Sequence, residues 1–368
     1  MPPVSLLEVT DLQVGFSTAD GLVQAVRGVS FTIEAGKTMG IVGESGSGKT
    51  VLTQTLLGLA PGGTVSGKAM FDGIDLLSVA PDQMQKIRGA QISVIFQDPL
   101  TSLHPLYKVG WQIGEMIRAH EPSVTRAQAT ARAVDLLGRV GIPRPAERVH
   151  DYPHQFSGGM RQRVMIAMAI SLSPQLIIAD EPTTALDATV QAQILDLLLR
   201  LQQESDTALI MITHDLGVVA DIADDVIVMY AGRAAEKAVK HDIFYEPHHP
   251  YTKGLLESIP NSSAAGGRLR PITGQPPSLI NLPSGCAFHP RCAYVMDRCV
   301  TEQPSLTAVG DAGVHRSACW LPVAATGLGE AAEALRRRAV VDGRHDAAVK
   351  VAEEIAERPE AAEGSVIV

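Results

Sequence analysis

A glycine-rich stretch that ends in lysine and threonine, residues 43–50, is the part of this sequence best suited to chemistry. It reads Gly-Glu-Ser-Gly-Ser-Gly-Lys-Thr, and its glycines let backbone N–H groups point at phosphate oxygens without a Cβ in the way. The lysine can reach the β- and γ-phosphates of a nucleotide, and the threonine hydroxyl can ligate Mg²⁺. The residues predicted to bind the phosphates are Gly43, Ser45, Gly46, Gly48, Lys49 and Thr50.

The sequence on either side of this loop supplies the elements that must position it. The apolar run at residues 39–42 predicts a short buried strand, and residues 51–57 predict a helix whose N-terminus adds partial positive charge. A plain glycine-rich turn between a strand and a helix would explain the glycines, but not the adjoining lysine and threonine in that context. We therefore predict a site for a nucleoside triphosphate.

Carboxylate, imidazole and amide side chains directly follow three further apolar runs that we predict to be strands. Asp180 and Glu181 end one run, His214 follows another, and Gln97 follows the third. The carboxyl ends of parallel strands are where α/β sheets bind ligands. Taken singly these are weak signals, because a lone histidine after a strand is more often structural and an acidic pair often caps a helix. Their joint order along the chain favours a catalytic site.

A Ser-Gly-Gly sequence at residues 157–159 precedes an apolar segment, residues 164–172, that we predict to be a helix. Glycines at the start of a helix leave backbone N–H groups unencumbered, and these groups can bind an anion. This segment is a second candidate for phosphate recognition.

The remaining sequence outlines the architecture. Residues 5–14 and 25–33 predict strands, and residues 65–76 predict an antiparallel hairpin around an Asp-Gly turn. Residues 102–155 are helical in character, with a well-formed helix predicted over residues 125–140. We expect this helical part to be an insertion rather than part of the sheet.

Composition and charge narrow the class of protein. The chain has 368 residues, of which 45% are hydrophobic and 4% aromatic, as suits an aliphatic α/β core in one large domain with a smaller one. A net charge of −9 argues against a general nucleic-acid binder. The first residues lack the pattern of an export signal, and the longest apolar run is too broken to span a bilayer. The sequence predicts a soluble, cytoplasmic protein.

Four cysteines lie in one late segment, with five, six and nineteen residues between successive members. In a reducing compartment such clustering favours a metal site over disulfides. Zinc modules favour closely spaced cysteine pairs, which are missing here, whereas four thiolates at wider spacing suit an iron–sulfur cluster. Zinc and unligated buried thiols remain the alternatives. The candidate ligands are Cys286, Cys292, Cys299 and Cys319.

The order of these motifs over residues 5–260 resembles the nucleotide-binding subunit of ABC transporters. The loop at residues 43–50 resembles Walker A, and the strand ending in Asp180 resembles Walker B, with Glu181 at the position of the catalytic glutamate. The resemblance implies an α/β, ABC-type P-loop ATPase domain with a mixed sheet core, an antiparallel β subdomain and a helical subdomain at about residues 100–160.

Further motifs of that family have counterparts here. Gln97 matches the Q-loop, residues 185–187 match the D-loop, His214 matches the switch histidine, and Phe16 matches the aromatic residue that stacks on adenine. The resemblance implies that ATP lies between two ATPase subunits arranged head to tail. The residues that it places at the nucleotide from the signature motif and D-loop are Ser157, Gly158, Gly159 and Asp187.

The resemblance also implies roles. Glu181 is the candidate base, His214 contacts the γ-phosphate, and Mg²⁺ is held by Thr50, Gln97 and, through water, Asp180.

Within the family, the sequence is most similar to ATPase subunits of dipeptide and oligopeptide importers. The residues that carry this likeness lie at 96–103, 152–154, 156–163 and 248–252, the last reading His-His-Pro-Tyr-Thr. Nickel importers share much of this pattern. Two departures are His104, where asparagine is expected, and Gln155, where glutamate is expected. Neither affects the hydrolytic residues.

The subgroup implies partners and a location. We expect a second, related but different ATPase subunit, two transmembrane permease subunits and, indirectly, an extracytoplasmic peptide-binding protein, with the chain at the cytoplasmic face of the cell membrane. Some ATPases of this subgroup carry a [4Fe–4S] cluster near a Leu-Pro-Ser-Gly-Cys sequence like that at residues 282–286, which favours the cluster over zinc. A soluble ABC ATPase acting on DNA or ribosomes is the alternative function.

The resulting domain prediction has three parts. Residues 1–260 form the ATPase domain, residues 261–324 form a small extension that contains the cysteines, and residues 325–368 form a partly mobile tail rich in alanine, glutamate and arginine.

Overall fold

The structure is a computed structural model that describes residues 5–184, 186–258, 272–310 and 313–322. The predicted tail at residues 325–368, the first residues of the predicted extension up to residue 271, and Ala185 lie outside these ranges. The strands are β1 (Ser5–Thr18), β2 (Gly21–Glu34), β3 (Thr38–Val42), β4 (Gly63–Phe71), β5 (Ile74–Asp75), β6 (Ile92–Ile95), β7 (Leu176–Asp180), β8 (Ala208–Thr213), β9 (Asp225–Tyr230), β10 (Arg233–Val239), β11 (Thr307–Ala308) and β12 (Arg316–Ser317). The helices are α1 (Lys49–Leu56), α2 (Pro81–Ile87), α3 (Pro99–Ser102), α4 (Val109–His120), α5 (Arg126–Arg139), α6 (Pro145–Arg148), α7 (Gly158–Ala169), α8 (Ala188–Ser205), α9 (Leu216–Ile222), α10 (Lys240–Tyr245), α11 (Pro250–Glu257) and α12 (Asp297–Thr301).

The larger sheet has the strand order β11-β12-β10-β9-β3-β8-β7-β6 within the described residues. Strands β9, β3, β8, β7 and β6 are parallel to one another, and β10, β12 and β11 extend the sheet in antiparallel pairing. Every residue of β3, β7 and β8 is buried, as expected for parallel strands covered on both faces. The carboxyl ends of these strands meet at one edge, so the residues that follow them are brought together.

The smaller sheet is antiparallel, with the order β2-β1-β4-β5. Strands β1 and β2 run for fourteen residues each and exceed the predicted lengths. The hairpin between β4 and β5 turns at Asp72 and Gly73, both with positive φ, as the sequence predicted. The buried face of this sheet packs with α1 and the larger sheet in one core that includes Leu7, Phe31 and Leu52.

A helical part lies between β6 and β7. Its helices α4, α5 and α7 pack around a core to which α8 also contributes. This core includes Ile113 of α4, Leu137 of α5 and Leu198 of α8. Helix α5 begins after Thr125, whose side chain and that of Gln128 form a reciprocal capping box. The predicted helix over residues 125–140 is thus confirmed, and the helical part packs on the sheet through a core that includes Ile95, Ile177 and Met211.

The segment with the cysteines is attached to the larger sheet. Strand β12 pairs with β10, which places Ser317 opposite Glu236. Helix α11 and the segment around Phe288 share a core with β9 and β10. The predicted boundary at residues 260–261 falls in the undescribed stretch 259–271. The overall architecture is the predicted α/β one, with a mixed sheet, an antiparallel sheet and a helical part.

Candidate nucleotide site

The glycine-rich loop connects β3 to α1 and depends on glycine at both of its ends. Gly43 has φ +155°, and a Cβ built there would lie 2.3 Å from the backbone oxygen of Met229. Gly48 has φ +98°, and its Cβ would lie 2.2 Å from the backbone oxygen of Ala25. Only glycine satisfies both the backbone angle and the close approach at these two positions. The loop is therefore shaped by its neighbours on β2 and β9.

The Lys49 ammonium lies inside this loop. Its Nζ donates hydrogen bonds to the backbone oxygens of Gly43, at 2.7 Å, and Glu44, at 3.0 Å. The side chain is buried, and burial lowers the pKa of Lys49, although the charges of Glu181, Asp180 and Glu44 act in the opposite direction. A buried cation beside three carboxylates suits an anionic ligand, since phosphate can take over the contacts that the loop carbonyls make here.

Thr50 and Asp180 meet at the carboxyl edge of the sheet. The Thr50 Oγ1 donates a hydrogen bond to Asp180 Oδ1 at 3.2 Å. Burial raises the pKa of Asp180, with Glu181 adding to the rise, while the Thr50 hydrogen bond and Lys49 oppose it. A hydroxyl and a carboxylate oxygen on adjacent elements are hard oxygen ligands, which Mg²⁺ prefers. The donor set therefore fits this ion.

Three side chains contact the carboxylate of Glu181. Its Oε2 accepts hydrogen bonds from Gln97 Nε2 and from Thr184 Oγ1, each at 2.9 Å, and its Oε1 lies 3.3 Å from His214 Nδ1. Glu181 itself adopts φ +46°, a strained conformation for a residue with a side chain. The structure thus brings together the three predicted catalytic residues, from the ends of β6, β7 and β8. Thr184 was missed by the sequence analysis, although it lies three residues after the glutamate.

The Ser-Gly-Gly segment lies against the start of α8. Ser157 caps α7 by accepting a hydrogen bond from the Met160 N–H at 3.4 Å. A Cβ on Gly159 would lie 2.7 Å from Val190 Cγ1, and Asp187 Oδ1 accepts from the Val190 N–H at 3.0 Å. The signature-like and D-loop-like residues are therefore neighbours across α7 and α8. Gly158 is the first residue of α7, and a Cβ built on it would lie 4.0 Å from Leu186 Cδ2. Their predicted role toward the nucleotide of another subunit stays a prediction.

Phe16 lies on β1, between β2 and β4. It pairs with Val23 and with Gly63, where a Cβ would come within 3.0 Å of the ring. The ring is half-buried and packs partly against the core of the smaller sheet. Its predicted stacking on adenine stays a prediction.

Four residues in and near the loop have contacts or burial that were not identified from the sequence. Ser47 Oγ is buried and has no hydrogen-bond partner among the described residues. Glu44 contacts Tyr251 and Arg291, which come from far along the chain. Only the glycine spacing around Ser47 could have indicated the serine, and no local pattern indicates the other contacts.

The four cysteines line one shared pocket. Their thiols are close enough for their charges to raise one another's pKa: burial, followed by these neighbours, raises the pKa of Cys292 and of Cys286, and that of Cys319 to about 11. Backbone N–H groups of Tyr294 and Leu321 donate to two of the sulfurs. In the part of the chain that the structure describes, no three His, Cys, Asp or Glu side chains form a group compact enough to hold a metal ion. The predicted cluster thus stays a prediction.

None of the described helices is both long enough and apolar enough to cross a bilayer.

Comparison with known proteins gives two family matches. The ABC transporter family matches residues 26–184, and the family described as the oligopeptide/dipeptide transporter C-terminal region matches residues 235–299. The second match therefore begins at β10, before the boundary predicted from the sequence.

Similar proteins extend over most of the chain. A dipeptide transport ATP-binding protein, DppD of Bacillus subtilis, is 50% identical over 319 residues, which cover 86% of this chain and 94% of that relative. An oligopeptide transport ATP-binding protein, OppD of Salmonella typhimurium, is 50% identical over 323 residues, covering 88% and 95%. The solved dimer of the ATP-binding cassette MJ0796 bound to ADP and Pi has a TM-score of 0.58 at 26% identity, over 64% of this chain and 98% of that one. The predicted resemblance is confirmed: the chain belongs to the ABC transporter family, in the group of dipeptide and oligopeptide transport ATP-binding proteins.

Proposed function

We propose that this chain is the ATP-hydrolysing subunit that energises import of dipeptides or oligopeptides through a membrane transporter. The observation that carries this function is the carboxylate of Glu181, held between Gln97 and His214 beside the loop that contains Lys49. Hydrolysis of a phosphoanhydride requires neutralised phosphate charge and a base for the attacking water. This one edge of the sheet provides both.

The residues of this chain divide that work. Lys49 and the N–H groups of the glycine-rich loop bind the phosphates, Glu181 accepts the proton of the attacking water, and His214 contacts the γ-phosphate from the exposed rim of the site. Thr50 and Asp180 hold Mg²⁺, which when bound offsets phosphate charge. The residues at the start of α7 and α8 serve the nucleotide of a second ATPase subunit, which we expect to be a related but different chain; they are Ser157, Gly158, Gly159 and Asp187.

The contact with the two permeases is formed by the helical part. Leu100, Leu106, Tyr107 and Trp111 expose between 45 and 77% of their surface, and the rings of Tyr107 and Trp111 stack with centroids 4.2 Å apart. Such a patch of large apolar side chains marks a protein interface. The patch follows Gln97 directly in the chain, and Gln97 donates a hydrogen bond to Glu181. Movement of the permeases could therefore shift Gln97 relative to the Glu181 carboxylate. The chain then acts at the cytoplasmic face of the membrane, and the extracytoplasmic peptide-binding protein is an indirect partner.

The cysteine segment holds a [4Fe–4S] cluster in this proposal, with zinc as the alternative. The support is that four thiols line one pocket, with backbone N–H groups directed at two of the sulfurs. A cluster there would link the residues that follow β12, helix α12 and the loop at residues 286–292, which is a structural role.

Transport by the assembled complex tests the function. The complex is reconstituted in vesicles with both permeases and both ATPase subunits, and uptake of labelled dipeptide, longer peptide and Ni²⁺ is measured with and without ATP. ATP-driven peptide uptake that Lys49→Ala abolishes supports the proposal. Uptake of Ni²⁺ alone, or turnover stimulated by DNA or ribosomes without permeases, would replace it.

Metal analysis tests the cysteine site independently. Protein purified without oxygen is analysed for iron, sulfide and zinc, and its visible and EPR spectra are recorded. About four iron and four sulfide per chain, lost in Cys299→Ser, would support the cluster. One zinc per chain without a chromophore would support the zinc alternative, and neither metal would leave the thiols as plain core residues.

A further inference from the structure

The C-terminal segment reaches into the phosphate loop and holds Glu44 at two points. The guanidinium of Arg291 forms a two-point ion pair with the Glu44 carboxylate, with Nη1–Oε2 at 2.6 Å and Nη2–Oε1 at 2.9 Å. The backbone N–H of Glu44 donates to the hydroxyl of Tyr251 at 2.9 Å. Both the side chain and the main chain of one loop residue are thus bound by residues more than 200 positions away.

The arginine is itself firmly placed. Its side chain is only 4% exposed, its Nε donates to the Thr273 backbone oxygen at 3.0 Å, and its Nη1 lies 3.3 Å from the Tyr230 hydroxyl. The rings of Tyr230 and Phe288 flank the guanidinium at 5.8 and 5.9 Å. A two-point arginine–carboxylate pair whose guanidinium is buried and makes further hydrogen bonds has a fixed geometry, unlike a surface pair.

Tyr251 is equally rigid. The side chain is fully buried, and its ring packs against Tyr230 and Phe288 with centroid distances of 4.6 and 5.4 Å. Its hydroxyl accepts the hydrogen bond that the Glu44 backbone N–H donates. The Tyr251 hydroxyl and the Arg291 guanidinium therefore support the loop from two fixed positions.

The negative charge of Glu44 makes its contact with Arg291 important for ligand binding. The carboxylate acts on the Lys49 ammonium, so it lies within electrostatic range of the phosphates that Lys49 binds. An unpaired carboxylate at that place repels a triphosphate, because like charges at short range in a partly buried site are weakly screened. Arg291 cancels that charge and holds it in position.

We propose that Arg291 and Tyr251 are positioning residues for the phosphate loop: together they clamp Glu44, and Arg291 neutralises the charge that Glu44 would otherwise present to ATP. The proposal rests on the proposed ATP site and assigns a task to the C-terminal segment in that site. Arg291 directly precedes Cys292, so a change in the conformation of the cysteine segment would also move Arg291 and change the affinity for ATP.

The test is a double-mutant cycle on the full chain, with the dissociation constant of a fluorescent ATP analogue as readout. Arg291→Gln is expected to weaken binding by about tenfold or more, equivalent to about 1.4 kcal/mol. The same change in a Glu44→Gln background is expected to have little effect, because no carboxylate remains to be neutralised. In the assembled complex, KM for ATP rises while kcat at saturating ATP changes less. Tyr251→Phe weakens binding by a smaller factor.

Arg298→Gln is the matched control. Arg298 also directly precedes a cysteine and pairs with a glutamate, Glu302, at 2.8 Å, but this pair is exposed and does not touch the loop. We expect wild-type affinity for it. Affinity in Arg291→Gln equal to that of the control, or an equal loss in both Glu44 backgrounds, would overturn the proposal.

Two further variants keep the outcomes distinguishable. If Arg291→Gln does not fold, Arg291→Lys, which retains the charge but not the two-point pairing, is measured instead; an intermediate loss supports the clamp and wild-type affinity overturns it. Lys49→Ala tests the site itself. If neither Lys49→Ala nor Arg291→Gln changes ATP binding, the proposed ATP site is wrong. If Lys49→Ala weakens binding and Arg291→Gln does not, only the role of Arg291 is refuted.

Discussion

The amide of Gln97 donates a hydrogen bond to the Glu181 carboxylate at 2.9 Å, joining the start of the helical part to the end of β7. The next residue, Asp98, caps α3 by accepting from the Leu100 N–H, so Gln97 is continuous with the segment that bears the exposed apolar patch. Any movement of that segment changes the distance between the amide and the carboxylate. The contact therefore connects the proposed permease surface to the proposed catalytic residue.

The first prediction concerns Glu181. Glu181→Gln keeps the shape of the side chain and its hydrogen bond to Thr184, but removes the basic carboxylate. We expect ATP binding to persist, the closed dimer to accumulate, and ATP turnover in the assembled complex to fall by roughly 10²–10⁴-fold, the usual contribution of a general base. Turnover by a phosphate-release assay and dimer formation by gel filtration with ATP are the measurements. Full turnover would contradict the role of this carboxylate.

A second prediction separates steric clash from backbone strain in the phosphate loop. Gly48→Ala places a Cβ 2.2 Å from the Ala25 backbone oxygen at φ +98°, so the loop must move and ATP binding is expected to be lost. Gly62→Ala meets the same kind of positive φ, +77°, but no atom within 4 Å. It is expected to cost only about 1 kcal/mol of stability and to leave binding unchanged. Thermal unfolding and nucleotide titration compare the two, and equal effects would show that the close approach is unimportant.

The third prediction tests the permease surface. Leu106 is 77% exposed, so Leu106→Asp costs little folding energy but places a charge in the apolar patch. We expect the variant to bind ATP normally and to lose co-purification with the permeases. Val314→Asp, at a position 57% exposed in the C-terminal segment, is the control and should retain the complex. An intact complex with Leu106→Asp would move the interface elsewhere.

The sequence was sufficient for the parts of the site that lie on local patterns. The strand-loop-helix around Lys49 and the polar residues at the ends of buried strands follow from periodicity and glycine spacing, and the parallel sheet then brings Gln97, Glu181 and His214 together. The pairing of Arg291 with Glu44 could not be predicted, because it depends on tertiary packing across 247 positions. The two-residue strand β12 was likewise missed, since two residues carry no period.

The last prediction concerns a buried ion pair that attaches β12 to β10. Glu236 is fully buried, and its Oε1 lies 2.7 Å from His315 Nε2, while the backbone N–H groups of His248 and His249 also donate to the carboxylate. Burial lowers the pKa of His315. The hydrogen bond and charge of Glu236, aided by the charges of Asp242 and Glu246, raise this pKa by more than burial lowers it, so the net shift is upward. The imidazolium form is therefore favoured in the folded state.

The sign of the pH dependence follows from that shift. A histidine with a raised pKa contributes stability that is fully present below its unfolded pKa, about 6.5, and is lost as the pH rises through the folded pKa. His315→Gln is expected to cost about 3 kcal/mol at pH 6, the lower end for a broken buried pair, because two backbone donors to Glu236 remain. The cost should shrink toward alkaline pH. Urea unfolding at several pH values measures it, with His241→Gln, an exposed histidine beside Asp242, as control. A cost that grows with pH would show that His315 is neutral in the fold.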